Sequence, residues 1–472
     1  MIHDSTQSIL DMLNTSYGPC GLDKMCINDK EALITNDGAT ILKNFQTNPI
    51  HKIISSVSDS QDVNCGDGTT SVVLLLCAIV NEMMFFKHKD VHPSKITKGL
   101  RIAKELCLEY LNKTKLKVDD GEFIPIAATA LSSKITAFCS EMAKVANDAV
   151  TRCKKDRIRI LKNIGGSVSD IKMYKSILLS IKIDIPTEFT KRRMSILQFS
   201  ISPPKTHMDF EVEIQNYEQM EKFVNEEKEY VIKRINKLKE AGVDLIVMQK
   251  NLMRESISEL AHHYLEENGI KVIKNVDRDD IAYLCETLKM KPISDIDLVN
   301  EPKEVSVRNI DDCMIEIEGY GTSIVVTGCN QMVVDEAERN LQDAISVVAC
   351  LKKDLYIVPG GCSIETGMSK VLESYVGDHS MIVRRLSKAL IALPHFLSSN
   401  MGLNSIEIVT NLKKSMEDYP NLGISISSRV ISDMIVDDII TQPAEVFKSM
   451  IVLAFETAEM LLKIDDMLPS IY

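Results

Sequence analysis

Apolar positions along this chain follow two different periods, and the change of period divides it. From Ser71 to Phe86 nearly every residue is apolar, which predicts a helix buried on all sides. From Pro93 to about Lys113 apolar and charged residues recur at three- and four-residue spacing, which predicts an amphipathic helix opened by proline. After a break at Asp119-Asp120-Gly121 a further helix is expected from about Ser133 to Lys154. The first ~115 residues therefore read as helical, interrupted by Gly-containing loops.

The middle of the chain changes character. Ser195–Ser200 and Leu245–Gln249 are short β-like runs. Between them Glu218–Ala241 is dense in Glu and Lys, with Met220, Phe223, Val224, Val231, Ile232, Ile235 and Leu238 on its apolar side. Glu255–Glu267, Lys271–Lys274 and Asp279–Lys289 continue a helix–strand alternation, Ile324–Thr327 reads as a strand, and Asp335–Leu351 as an amphipathic helix. From Tyr356 the pattern is helical again, ending in Pro443–Met467. This order predicts an α/β segment inserted into a helical domain closed by both ends of the chain. No internal repeat or low-complexity tract is visible.

Composition narrows the picture only modestly. The 472 residues suggest about two to four domains. An apolar fraction of 45% with 26% charged residues excludes wholesale disorder. A net charge of −12, from 67 acidic and 55 basic side chains, argues against a protein that coats nucleic acid. With no Trp, 5% aromatics and 23 Met, the cores must rest on aliphatic residues and methionine. The 12 Cys are scattered without a CxxC pair, so neither structural zinc nor a disulfide framework is expected. The start MIHDSTQSILD has no basic n-region or apolar h-region, and the longest apolar run, Val72 to Val80, is too short to span a bilayer. A cytoplasmic protein with reduced thiols and no membrane partner is expected. His88 and His92 are four apart, but Pro93 follows at once and no carboxylate–His partner accompanies them, so no metal is assigned there.

Candidate chemistry lies in three loops that each precede a helix: Thr15-Ser16-Tyr17-Gly18-Pro19-Cys20-Gly21, Thr35-Asn36-Asp37-Gly38-Ala39-Thr40 and Gly66-Asp67-Gly68-Thr69-Thr70-Ser71. A helix N-terminus offers unpaired N–H groups and partial positive charge to a phosphate, glycine permits close approach, and a loop Asp can hold Mg²⁺. An Asp or Thr ahead of a helix also serves as an ordinary N-cap. No GxxxxGK[ST] run occurs, so the residues alone reach a possible phosphate site outside the common P-loop and stop there.

TSYGPCGLDKM, ITNDGATIL and GDGTTSVV, in that order, together resemble the nucleotide-site signature of the group II chaperonins. VPGGCSIE (Val358–Glu365), NMGLN (Asn400–Asn404) and LLKIDDML (Leu461–Leu468) resemble that family's later motifs. The resemblance covers essentially the whole chain. QFSISPPKTHMDFEVEI (Gln198–Ile214) is further similar to the start of the client-binding domain in one paralogue of the eukaryotic cytosolic chaperonin.

The resemblance implies an α+β multidomain chaperonin fold. Its parts would be a mostly helical equatorial domain (residues 1–122 and 355–472), a small α/β intermediate domain (123–184 and 319–354) and an α/β apical domain with a helical protrusion (185–318). It implies ATP and Mg²⁺ as cofactors. Ser16, Tyr17, Gly18 and Pro19 would touch the phosphates, with Asn36 beside them and Asp37 polarising the attacking water. Asp67 would hold Mg²⁺, while Gly68, Thr69, Thr70 and Ser71 clasp the phosphates. Gly361 would lie against the nucleoside, Gly423, Ile424 and Ser425 would cover the adenine, and Gln442 would meet the ribose. Asp343, on its own an ordinary solvated helix charge, falls at the family's second catalytic carboxylate, delivered when the intermediate domain closes.

Several positions depart from the family pattern: Cys20 where Lys is usual, Cys362 for a third glycine, Ser425 for Asp or Asn, and Lys162-Asn163 for two basic residues. The N-terminus and residues 302–320 look trimmed. The implied function is an ATP-hydrolysing subunit of a hetero-oligomeric double-ring chaperonin. Its partners would be paralogous subunits in two stacked eight-membered rings, and its clients unfolded proteins such as actin and tubulin. A ring subunit that holds nucleotide but cleaves it weakly is the alternative within the family. A small-molecule kinase is the contrasting class, and no P-loop lysine supports it.

Overall fold

The computed structural model describes residues 2–27, 32–45, 48–118, 123–132, 139–181, 187–203, 216–251, 255–299, 302–311, 314–416, 419–426, 428–436 and 440–466. The chain forms two compact units. The first gathers both chain ends: Met1–Thr151, Lys162–Ile171 and Val326–Tyr472. The second comprises Arg152–Leu161 and Lys172–Val325.

The first unit is built around the Thr69–Lys87 helix, where Val72 to Val80 are all buried. By length and composition this helix could cross a membrane, with a mean hydropathy of 1.8, but 67% of that stretch is buried inside the protein. Its neighbours supply complementary stripes: Ile96, Leu100, Ala103 and Cys107 from Pro93–Thr114, Leu386, Leu390 and Leu393 from Ser380–Asn400, and Ile451, Ala454 and Phe455 from Ala444–Lys463. Their three- and four-residue spacing puts each set on one helix face. The Gln331–Lys353 helix, longer at both ends than Asp335–Leu351, packs on Ile124–Ser132.

The second unit carries a six-stranded sheet in the order Ile177–Leu179, Met314–Ile317, Lys303–Asp311, Thr190–Leu197, Leu245–Gln249, Lys271–Val276. Thr190–Leu197, Leu245–Gln249 and Lys271–Val276 pair in parallel, and the others are antiparallel. Successive residues of a strand point to opposite faces. Leu245 and Val247 accordingly pack with Ile281 and Leu284, while Ile246 and Met248 pack with Val231, Ile235, Leu238 and Leu265. The Tyr217–Glu240 helix is buried only in its C-terminal half, and Tyr217, Met220 and Phe223 are exposed in its first half.

Two regions read as helical contain strands. Lys24–Ile27 pairs with Ala32–Thr35 as a hairpin, and Tyr356–Pro359 pairs with Leu116–Lys117 and Thr441–Pro443. These strands are two to four residues long. In the second sheet the pairing partners are far away in sequence, so a local period has no length over which to show itself. The helix expected from Ser133 is observed from Cys139 to Arg152. Residues 133–138, Asp119-Asp120-Gly121, residues 204–214 of the Gln198–Ile214 segment and the last two residues of LLKIDDML lie outside the described residues.

Candidate functional site

The three loops meet in the first unit at a cleft with about 1040 Å³ of open space, its mouth included. Helix ends build it. The Pro49–Cys65 helix stops at Gly66, whose φ of 71° is the left-handed cap that glycine adopts without strain. Two residues later Gly68 (φ 80°) starts Thr69–Lys87 with no side-chain cap. The first intrahelical bond there runs from Val72 N–H to the Gly68 carbonyl at 3.0 Å. The amides of Thr69, Thr70 and Ser71 therefore lie ahead of the helical ladder, where a helix end favours an anion.

Asp37 locks the second loop onto this end. Its Oδ2 accepts from Thr40 N–H at 3.0 Å and Thr40 Oγ1 at 2.7 Å, as an N-cap should. Its Oδ1 accepts from Thr69 Oγ1 at 3.1 Å. The N-cap and the functional reading of Asp37 are therefore compatible: one side chain ends a helix and also lines the cleft. Gly38 permits the approach, since a β-carbon there would sit 2.6 Å from Thr70 Oγ1 and 3.0 Å from Thr70 Cα. Asp67 lies between the two turns: its Oδ1 accepts from Gly68 N–H at 2.7 Å, and its carbonyl accepts from Gln61 Nε2 at 3.0 Å.

The first loop is fastened from behind. Asn400 Nδ2 donates to the carbonyls of Asn14 and Tyr17 at 2.7 and 2.8 Å, and Ser16 Oγ is spent on the Leu22 carbonyl at 2.9 Å. Opposite, the backbone of Gly361 (φ 61°) bonds Ile424 N–H at 2.9 Å, and a β-carbon on it would lie 2.9 Å from Ile424 N and O. Cys362 follows with φ 59°, an unusual left-handed conformation for a residue with a β-carbon, and heads the Ser363–Ser374 helix. Tyr17 Oη is 3.6 Å from Cys362 Sγ. Burial pushes both the Tyr17 hydroxyl and the Cys362 thiol well above their ordinary ranges.

No Lys, Arg or His is found among the described residues lining the cleft, whereas Asp37, Asp67 and Glu365 are. An anion entering it therefore needs a cation of its own. No group of three or more His, Cys, Asp or Glu forms a metal cage among the described residues. Two loop carboxylates in an oxygen-rich wall fit a hard divalent ion that takes most of its ligands from phosphate and water.

Comparison with known proteins turns this geometry into a family assignment. A family model described as the TCP-1/cpn60 chaperonin family matches residues 9–471. The chain belongs to that family. The chaperonin chain is 42% identical to T-complex protein 1 subunit delta of Encephalitozoon cuniculi, covering 99% of this chain and 97% of the relative. It is 34% identical to the delta subunit of Kluyveromyces lactis (98% and 94% covered) and 33% identical to that of Arabidopsis thaliana (98% and 93%). Delta is the paralogue that the Gln198–Ile214 segment resembles.

The cleft of this chaperonin chain brings together most of the residues singled out from the sequence. Ser16, Tyr17, Gly18 and Pro19 line it, as do Asn36 and Asp37. Asp67, Gly68, Thr69, Thr70 and Ser71 form another wall, and Gly361, Ile424 and Gln442 a third. Three residues do not line it. Gly423 is packed against the carbonyls of Gly360 and Gly361, and Ser425 is fully buried. Asp343 is half-buried on Gln331–Lys353, the helix that packs on Ile124–Ser132. Thr129, Ala130 and Ser132 of that partner helix line the cleft, as do Leu397, Ile426, Ile440 and Phe447. Nothing in their sequence context distinguishes them from packing residues. Glu365 also lines it, and its place in VPGGCSIE was a usable signal. Lys162 is held at 3.0 Å by both Asp335 and Glu338, which raises its ammonium above the ordinary lysine range.

Proposed function

We propose that this chain is an ATP-binding and ATP-hydrolysing subunit of a hetero-oligomeric, double-ring cytoplasmic chaperonin, occupying the delta position. The observation that carries the reading is the cleft: an uncapped helix end, two loop carboxylates and, among the described residues, no basic lining residue at one place. Magnesium bound with the nucleotide would offset the phosphate charge. Asp67 would hold it. The amides of Thr69 to Ser71 would receive phosphate oxygens, and the first loop would present its backbone. Asp37, held by Thr40 and Thr69, would fix the attacking water and accept its proton. Gly361, Ile424 and Gln442 would bound the nucleoside.

The reading divides the chain into equatorial, intermediate and apical domains at the boundaries given above. Exposed Tyr217, Met220 and Phe223 at the open end of a long helix support a protrusion that meets unfolded clients such as actin and tubulin. One observation favours a second reading, a subunit that holds nucleotide and cleaves it weakly: Asp343 does not line the cleft in this arrangement. Single-turnover hydrolysis by assembled rings in which only this subunit carries Asp343→Ala decides between them. A lost fraction of released phosphate supports hydrolysis here, and an unchanged amplitude and rate favours the holding subunit.

A further inference from the structure

Among the described residues lining the cleft, Glu365 is the one carboxyl that the reading above does not use. It stands in the first turn of Ser363–Ser374, is only 3% exposed, and its Oε2 has no hydrogen-bond partner among the described residues. The titratable groups around it come from several elements. Tyr17 approaches from the first loop, and Cys362 heads its own helix. Asp37 and Asp67 line the same cleft from the other two loops, and Tyr110 of Pro93–Thr114 lies against Gly367. Ser380–Asn400 presents Leu397, and Thr69–Lys87 presents the hydroxyls of Thr70 and Ser71. None of these carries a positive charge.

Two influences oppose each other at this carboxyl. The helix N-terminus and the residue's own backbone N–H favour the ionised form. Burial favours the neutral form and prevails, pushing the group up to about 7. A polyphosphate entering a cleft that has no basic lining residue among the described ones acts in the same direction as burial, because it adds negative charge near a poorly solvated carboxyl.

We propose that Glu365 is a proton-linked residue of the cleft, a carboxylate that takes one proton from solvent to become a carboxylic acid as an anionic nucleotide binds. Occupancy and protonation then rise together, because linkage is reciprocal: if the ligand favours the acid form, the acid form favours the ligand by the same factor. The inference rests on the nucleotide reading and adds a regulation to it. Cytoplasmic acidification would tighten binding at this subunit.

The test is calorimetric titration of the full chain with ADP in buffers of different ionisation enthalpy. Wild type is expected to take up about half a proton per site at pH 7 and to approach one proton about a pH unit above it, with affinity falling by up to about tenfold per pH unit in that range. Glu365→Gln, neutral at every pH, is expected to bind ADP with no such uptake and with an affinity flat across the same range. Equal uptake by the variant, or none by wild type, overturns the proposal. If wild type binds no ADP at any pH, the nucleotide reading itself fails and takes this inference with it. Should Glu365→Gln not fold, the infrared carbonyl band of a protonated carboxyl in wild type serves instead. It is expected to fade as pH rises through 7 and to return on adding ADP, and a band that ignores ADP overturns the proposal.

Discussion

The two sides of the cleft are built on opposite principles. On the side of Asp37 and Thr69, short hydrogen bonds between hydroxyls, a carboxylate and helix-end amides fix the loops, and the carboxylates stay in contact with water. On the side of Gly361, Cys362 and Glu365, backbone packs on backbone, a β-carbon occupies a left-handed position, and a carboxyl is buried with one oxygen unpaired among the described residues. The first side is ready for charge. The second makes charge costly, so its protonation state becomes a variable. A site needing only electrostatic attraction would have placed a lysine there.

This contrast can be broken most strongly on the charged side. Replacing Asp37 by Ala is expected to lower single-turnover phosphate release at this subunit by about 100-fold or more, as loss of a positioned general base does. The same change should cost only about 1 kcal/mol of stability through the lost N-cap, read from urea unfolding. On the buried side the largest expected effect follows pH. Glu365 is raised in the folded chain from 4.5 to about 7, so between these values the folded state binds more protons than the unfolded one. Stability from this group is therefore full below about pH 4.5 and is lost as pH rises through 7, by on the order of 3 kcal/mol. Glu365→Gln should remove that slope from urea midpoints measured across the window.

Smaller changes sharpen the comparison. Gly361→Ala should destabilise by about 1–3 kcal/mol, because its β-carbon meets the Ile424 backbone and its φ is left-handed, and thermal unfolding checks this. Lys162→Ala removes two partly exposed ion pairs and should cost no more than about 1 kcal/mol, with a salt-dependent difference in midpoint.

Long elements were legible because their periods repeat. Thr69–Lys87, Pro93–Thr114, Tyr217–Glu240 and Leu245–Gln249 all lie within a few residues of the segments expected from the sequence. Strands of two to four residues were not, since Tyr356–Pro359 exists only through partners at Leu116–Lys117 and Thr441–Pro443. The loops were visible through their glycines and hydroxyl residues, whose conformational demands are local. Thr129, Leu397 and Phe447 were invisible as site residues, because what places them at the cleft is the packing of their helices.

The sequence alone determined the family, the order of the three loops and the presence of carboxylates at Asp37, Asp67 and Asp343, because these depend on residue identity and short spacing. Tertiary structure alone decided that Asp37, a local N-cap, also binds Thr69 of another helix, and that Asp343 stands off the cleft. It also decided that Glu365 loses its water, and with it the ordinary acidity of a glutamate. Burial is a property of what surrounds a residue, and for Glu365 those surroundings come from segments hundreds of positions apart, Tyr17 among them.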